Sequence, residues 1–230
     1  MKLDKIKVIG FDADDTLWIN ESYFLETEHK LYELLAPYAS KEIVADQLYR
    51  TEMQNMPLYG YGVKAYILSV METAIKLAGD QATASLLHQI LIFGKEQLEQ
   101  PVELLPDVHK TLNALYGKYK LIVVTKGDLL DQERKLLRSG IAHLFHHVEI
   151  ISDKTPQTYR QLLNHLDIQP EEFLMTGNSM KSDILPPLSL GCYAIHVPYK
   201  TTWAHETAEA PQQNSRFKEV GTLWDIIDFL

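Results

Sequence analysis

Two aspartates, Asp12 and Asp14, follow directly on the apolar run Lys7-Val8-Ile9-Gly10-Phe11. Two positions apart just past a strand, their carboxylates can enter one pocket when the second lies in a turn. Crowded acids repel unless a cation is shared or one of them keeps its proton, and either arrangement is useful for chemistry. Other polar residues stand beyond later apolar runs: Thr125 after Leu121-Ile122-Val123-Val124, Lys154 after Val148-Glu149-Ile150-Ile151, and Asn178 with Asp183 after Phe173-Leu174-Met175-Thr176. A hydroxyl donor and a point positive charge complement the oxygens of a phosphoryl group. A hard oxygen set with no Cys or His cluster beside it suits Mg2+ better than zinc.

Such residues act together only if the fold brings their strand ends to one crevice. From Thr125 onward the chain alternates short apolar runs with helical segments: Leu129 to Ser139, Thr155 to Leu166 with Pro156 in its first turn, and Leu223 to Leu230, with a further strand at Cys192 to Val197. That alternation predicts an α/β fold, a Rossmann-like parallel sheet with helices on both faces, in which ligands collect at the carboxyl ends of the strands. Between the first two strands lies a long helical stretch. Glu21 to Leu35 and Ser40 to Met53 read as helices separated by Pro37. Val63, Ile67, Val70, Ala74 and Leu77 form one stripe of a third, which stops near Gly79, and Leu86 to Leu98 reads as a fourth before Pro101. The expected division is a core of 1–16 and 106–230 and a helical insertion of 17–105. The polar tract His205 to Ser215 reads as a surface loop.

Composition limits the rest. With 230 residues, 46% of them hydrophobic, the chain can bury a large core, and a net charge of -9 without any Lys/Arg run argues against a nucleic-acid surface. No run approaches the roughly 18 apolar residues of a membrane helix. One cysteine, Cys192, allows no internal disulfide, sits in an apolar strand and reads as core packing; together with the absence of a signal-like N-terminus it sets the expectation of a cytoplasmic protein. A monomer and a homodimer fit equally well.

The block Phe11-Asp12-Ala13-Asp14-Asp15-Thr16-Leu17 resembles the first motif of the haloacid dehalogenase superfamily, Asp-x-Asp-x-Thr after a hydrophobic strand. Thr125 resembles its second motif, Lys154 its third, and Gly177-Asn178-Ser179-Met180-Lys181-Ser182-Asp183 its fourth, all in the family's order. The resemblance implies a Mg2+-dependent phosphatase acting on a small phosphorylated metabolite. Asp12 would be the nucleophile that becomes an aspartyl-phosphate, and Asp14 the acid and then base. Thr125 and Lys154, with Lys126, would hold the transferring group. The metal set would be Asp12, the Asp14 carbonyl, Asn178 and Asp183, and the insertion would be a C1-type cap. Where the family usually has Gly-Asp, this chain has Gly177-Asn178, which removes one negative charge from the metal set. Alternatives are a 2-haloacid dehalogenase, against which the acid at Asp14 argues, a phosphomutase, and a phosphate-binding regulatory module with weakened catalysis, which Asn178 motivates.

Several residues carry plainer readings. Asp15 reads as turn chemistry, Asp128 as an N-cap, Lys64 as solvated, and His143, His146 and His147 as structural. Tyr59 and Tyr61, alternating with glycines, are either a flexible aromatic loop that contacts the substrate's organic portion or an interhelical turn.

Overall fold

The computed structural model describes residues 3–230. They form two compact units. One comprises the chain up to Glu21 with Val102–Lys126 and Gln132–Leu230, the other Ser22–Pro101 with Gly127–Asp131.

The first unit holds a six-stranded sheet of β1 (Val8–Phe11), β2 (Lys120–Lys126), β3 (His147–Ile151), β4 (Phe173–Gly177), β5 (Tyr193–His196) and β6 (Phe217–Glu219), in the order β3-β2-β1-β4-β5-β6. Every neighbouring pair is parallel. This is the α/β architecture the alternation predicts. The chain builds outward from β1 on one side and then returns to its other side, so the crevice of the sheet opens at the carboxyl end of β1, between β2 and β4. Phe11, the last residue of β1, pairs with Val123 and Thr176, and Asp12 follows it into that crevice.

Alternation along the strands sorts the core. Ile9, Phe11, Leu121 and Val123 pack on one face with Leu17, Trp18, Val108 and Leu112, while Val8, Ile122 and Val124 pack on the other with Tyr159, Leu163, Phe173 and Cys192. Leu17 and Trp18 are fully buried there, and the segments leaving and re-entering this unit pair by backbone, Ile19 N–H to Glu103 O at 3.0 Å and Leu105 N–H to Leu17 O at 2.9 Å. The inserted part of the helical unit therefore lies inside the expected 17–105, from Ser22 to Pro101, while Gly127–Asp131, expected in the core, groups with it.

Helical boundaries follow local chemistry. In the second unit, α1 (Glu21–Leu35, its first residue belonging to the sheet unit), α2 (Lys41–Tyr59), α3 (Val63–Ala78) and α4 (Ala84–Glu99) bury Leu31, Leu35, Val44, Leu48, Val63, Ile67, Val70, Ala74 and Ile90 in a core of their own. The helix α2 runs past the expected Met53 because Pro57 lies in its last turn, where its missing N–H forfeits a single helical bond. Two further elements have weak sequence signals, α5 (Val108–Leu115) and the three-residue edge strand β6, and the closing helix expected over Leu223 to Leu230 is 3-10 rather than α-helical, over Leu223–Phe229. The remaining helices are α6 (Leu129–Arg138), α7 (Pro156–Leu166) and α8 (Leu185–Ser189). Among the described residues no helix is long and apolar enough to cross a membrane.

Candidate active site

Lys154 is the hub of the strand ends. Its ammonium, 1% exposed, donates to Asp12 Oδ1 at 2.5 Å and to Asp183 Oδ1 at 2.6 Å, joining residues 142 and 29 positions distant in the chain. Thr155 fixes the lysine in place: it is the N-cap of α7, accepts from Thr158 N–H at 3.2 Å, and is followed by Pro156 at the first helical position. Burial alone would lower the Lys154 ammonium, but Asp12 and Asp183 outweigh it and hold the pKa above the ordinary lysine value. Burial, reinforced by Asp183, pushes the Asp12 carboxyl up to about 7 in spite of Lys154. Two buried carboxylates thus share one cation, and the cluster favours further positive charge.

A tight turn delivers Asp183. After β4 the chain enters a π-helical turn, Met180–Ile184, in which Ser179 N–H donates to Asp183 Oδ2 at 2.9 Å and Ser182 N–H to Ser179 Oγ at 3.0 Å. A Cβ on Gly177 would lie 2.3 Å from Asp183 Oδ2, so only glycine lets the carboxylate fold back against the strand end. Pro186 and Pro187 lack the N–H groups that would meet the Ser182 carbonyl in a continuing helix, and the Tyr159 hydroxyl donates to it instead at 3.1 Å.

The donor set at Asp12 fits a hard cation. The inner amide position of Asn178 lies 3.2 Å from Asp12 Oδ2, 3.3 Å from the Asp14 carbonyl and 3.2 Å from Thr16 Oγ1. Filled by the NH2 group, it donates to all three. Turned by half a rotation, the amide offers its oxygen to the same point, where the Thr16 hydroxyl donates to it at 3.2 Å and the Asp12 and Asp14 oxygens add two further acceptors for a cation. Neighbouring ligands of an octahedral Mg2+ stand about 3 Å apart, so the spacing is right for that ion. Asp12, the Asp14 carbonyl and Asn178 would hold it, with Asp183 tied to them through Lys154. Among the described residues no group of three or more His, Cys, Asp or Glu side chains is arranged to hold a metal, and this set draws instead on a backbone carbonyl and an amide.

The side chain of Asp14 faces elsewhere. Its Oδ1 accepts from Trp18 Nε1 at 2.8 Å and Lys135 Nζ at 3.0 Å, and its Oδ2 from Gln132 Nε2 at 2.7 Å. Asp15 turns away as well: at φ 61° its carboxylate receives the N–H groups of Asn20 and Glu21 at the start of α1, which is turn chemistry. Thr125 is buried at the end of β2 with its hydroxyl on the Lys126 carbonyl.

Lys126, expected on the substrate, has its ammonium committed to Ser182 Oγ at 2.9 Å and Glu206 at 2.6 Å. Sequence reasoning missed Glu206, which lies in the tract read as a surface loop. Its carboxylate also accepts from Ser179 Oγ and Ser182 Oγ, each at 2.5 Å. Burial would raise this acid, but the Lys126 ion pair and the two hydroxyls hold it down at about 2. It braces the turn that carries Asp183.

Tyr59 and Tyr61 belong to the helical unit, Tyr59 as the exposed last residue of α2 and Tyr61 in the connection to α3. Lys64, expected to be solvated, pairs with Asp128 at 2.8 Å, and Asp128 accepts from Asp131 N–H at the start of α6, an N-cap contact. His146 and His147 meet each other, and His147 meets Glu149, at the edge of the sheet. Burial pushes the Cys192 thiol up to about 12, consistent with inert packing.

A family model described as haloacid dehalogenase-like hydrolase matches residues 6–191. The chain is 34% identical to a crystal structure of a haloacid dehalogenase-like family hydrolase from Xanthomonas campestris, with a TM-score of 0.87 over 97% of this chain and 91% of that one. It is 25% identical to a glyceraldehyde 3-phosphate phosphatase of Methanopyrus kandleri over 78% of each chain. To the human N-acylneuraminate-9-phosphatase it is 23% identical over 94% of this chain and 89% of the relative.

Proposed function

The chain belongs to the haloacid dehalogenase-like hydrolase family, and from that premise we propose that it is a Mg2+-dependent phosphatase that cleaves a small phosphorylated metabolite through an aspartyl-phosphate on Asp12. The observation that carries the reading is the buried Lys154 bridge between Asp12 and Asp183 at adjoining strand ends.

In this mechanism an Asp12 carboxylate oxygen forms a bond to phosphorus as the ester oxygen leaves, and Asp14 gives the departing oxygen its proton. Asp14 then takes a proton from water as that water attacks phosphorus, which frees phosphate and restores Asp12. Lys154 orients Asp12 and offsets charge on the transferring group, and Thr125 donates to one of its oxygens. Bound Mg2+ would reduce the repulsion between the anionic nucleophile and the anionic ester. Lys126, already held by Glu206, serves as a strut for the Asp183 turn.

The helical unit acts as a cap that selects the leaving group, with Tyr59 and Tyr61 on the organic portion of the substrate. The names of the relatives make glyceraldehyde 3-phosphate and N-acylneuraminate 9-phosphate the first compounds to assay. The test is phosphate release from acetyl phosphate and 4-nitrophenyl phosphate, with Mg2+ or chelator. Wild type should release phosphate only with Mg2+, and Asp12→Asn should lose at least about a thousandfold, in line with removal of a nucleophile. Equal, negligible release from both proteins would favour a binding module, and metal-independent halide release from a 2-haloacid would favour dehalogenation.

A further inference from the structure

Asp14 is surrounded by donors from parts of the chain that no strand-end pattern marks. Gln132 and Lys135 lie three residues apart on α6, so their side chains leave the same face of the helix and reach one target. They meet Asp14 across 118 and 121 positions of sequence, and Trp18 closes the third side. Each of the two has a second attachment. Gln132 Nε2 also donates to the Lys126 carbonyl at 2.7 Å, which ties Asp14 to the end of β2 beside Thr125. Lys135 Nζ also donates to Asn20 Oδ1 at 2.8 Å.

Gln132 carries a cost. Its side chain is buried, and its Oε1 has no hydrogen-bond partner among the described residues. An unsatisfied buried oxygen is unfavourable, and an apolar side chain of similar size would avoid that penalty. A side chain tolerated at that cost, with its amide hydrogens shared between Asp14 and the neighbouring strand end, is explained by what those hydrogens position.

We propose that Gln132 and Lys135 are positioning residues for proton transfer, fixing the Asp14 carboxyl so that it can protonate the leaving oxygen; the proposal rests on the acid–base role assigned to Asp14 above. The two oxygens of Asp14 are not equivalent. Oδ1 accepts from both Trp18 and the Lys135 ammonium, whereas Oδ2 accepts, among the described residues, from Gln132. Oδ2 is therefore the oxygen that carries the transferable proton: it passes the proton to the ester oxygen as the P–O bond breaks and regains one from water in the second half-reaction. Lys135 keeps Oδ1 out of that role.

The test compares kcat/KM for a graded series of phosphate monoesters, from 4-nitrophenyl phosphate, whose phenolate leaves without help, to phenyl phosphate and glycerol phosphate, whose leaving groups need a proton. General acid catalysis contributes about 100- to 10,000-fold, so Asp14→Asn should lose far more on the poor leaving groups than on the good one. Lys135→Met and Gln132→Met should steepen the same dependence, losing about 10- to 100-fold on glycerol phosphate and under about threefold on 4-nitrophenyl phosphate. Lys135→Arg should restore most of the loss, since a cation again reaches Oδ1. A uniform loss across the series in the Met variants, or no loss, with Asp14→Asn steep, would overturn the positioning role alone. A flat series for Asp14→Asn would overturn the acid role and this proposal with it.

Discussion

Asp12 and Asp14 stand two residues apart and each meets a lysine, yet the two ion pairs are built on opposite principles. Around Asp12 the lysine is 1% exposed and bridges two carboxylates, so removing the lysine leaves two buried acids without their shared cation. Around Asp14 the pair is 18% and 24% exposed, and two neutral donors share the work of the ammonium. The first arrangement binds charge into the core of the fold. The second orients a carboxyl through three donors at a partly exposed position. A residue that attacks needs a fixed place and a neutralised surrounding, and a residue that shuttles protons needs direction without permanent neutralisation.

The contrast predicts unequal responses to the same substitution. Lys154→Met should have the largest effect, destabilising the fold by about 3–5 kcal/mol and abolishing activity, because Asp12 and Asp183 are left facing each other in a buried site. Chemical denaturation at neutral pH measures it, and a loss below about 1 kcal/mol would place the pair in solvent. Glu206→Gln comes next, at about 2 kcal/mol, since Lys126 loses a buried partner. Its pH dependence has a definite sign. Glu206 is held near 2, below the ordinary carboxylate value of 4.5, so its contribution is complete above that value and is lost as pH falls through about 2. The stability gap between wild type and Glu206→Gln should therefore shrink from pH 5 to pH 2 in paired denaturation curves, and a gap that widened would contradict the assignment.

Asn178→Asp acts on the metal side of the same contrast. A restored carboxylate beside Asp12 Oδ2 and the Asp14 carbonyl should tighten Mg2+ by about tenfold in calorimetric titration. An unchanged titration would remove Asn178 from the ligand set. The smallest expected change in stability is that of Lys135→Met, under about 1 kcal/mol for a partly exposed pair. A loss equal to that of Lys154→Met would erase the distinction between the two carboxylates.

How much of this could be read beforehand depends on the range of the interaction. Apolar runs that stop at polar residues marked β1, β2, β3 and β4, and with them the positions of Asp12, Thr125, Lys154, Asn178 and Asp183, because strand ends in a parallel sheet converge by topology. Glu206 escaped because a tract rich in polar residues gives no local sign that one carboxylate folds inward against Ser179 and Ser182. Gln132 and Lys135 escaped for the same reason: on an amphipathic helix they read as its solvated face, and only the tertiary packing turns them toward Asp14. The limits of the helical unit were blurred because Leu17, Trp18, Leu104 and Leu105 are apolar enough to belong to either core, and pairing of the two linking segments decides it. Lys126 followed Thr125 so closely that a substrate contact was the natural reading, but its partner lay 80 residues away.

The central claim is that Asp12 becomes covalently phosphorylated, and its most direct test is chemical trapping. Wild-type protein mixed with acetyl phosphate and Mg2+, quenched in acid, reduced with borohydride and digested should yield the peptide containing Asp12 with that residue reduced to homoserine, and Asp12→Asn should yield none. Phosphate turnover by the wild type with no modified Asp12 under these conditions would contradict the account.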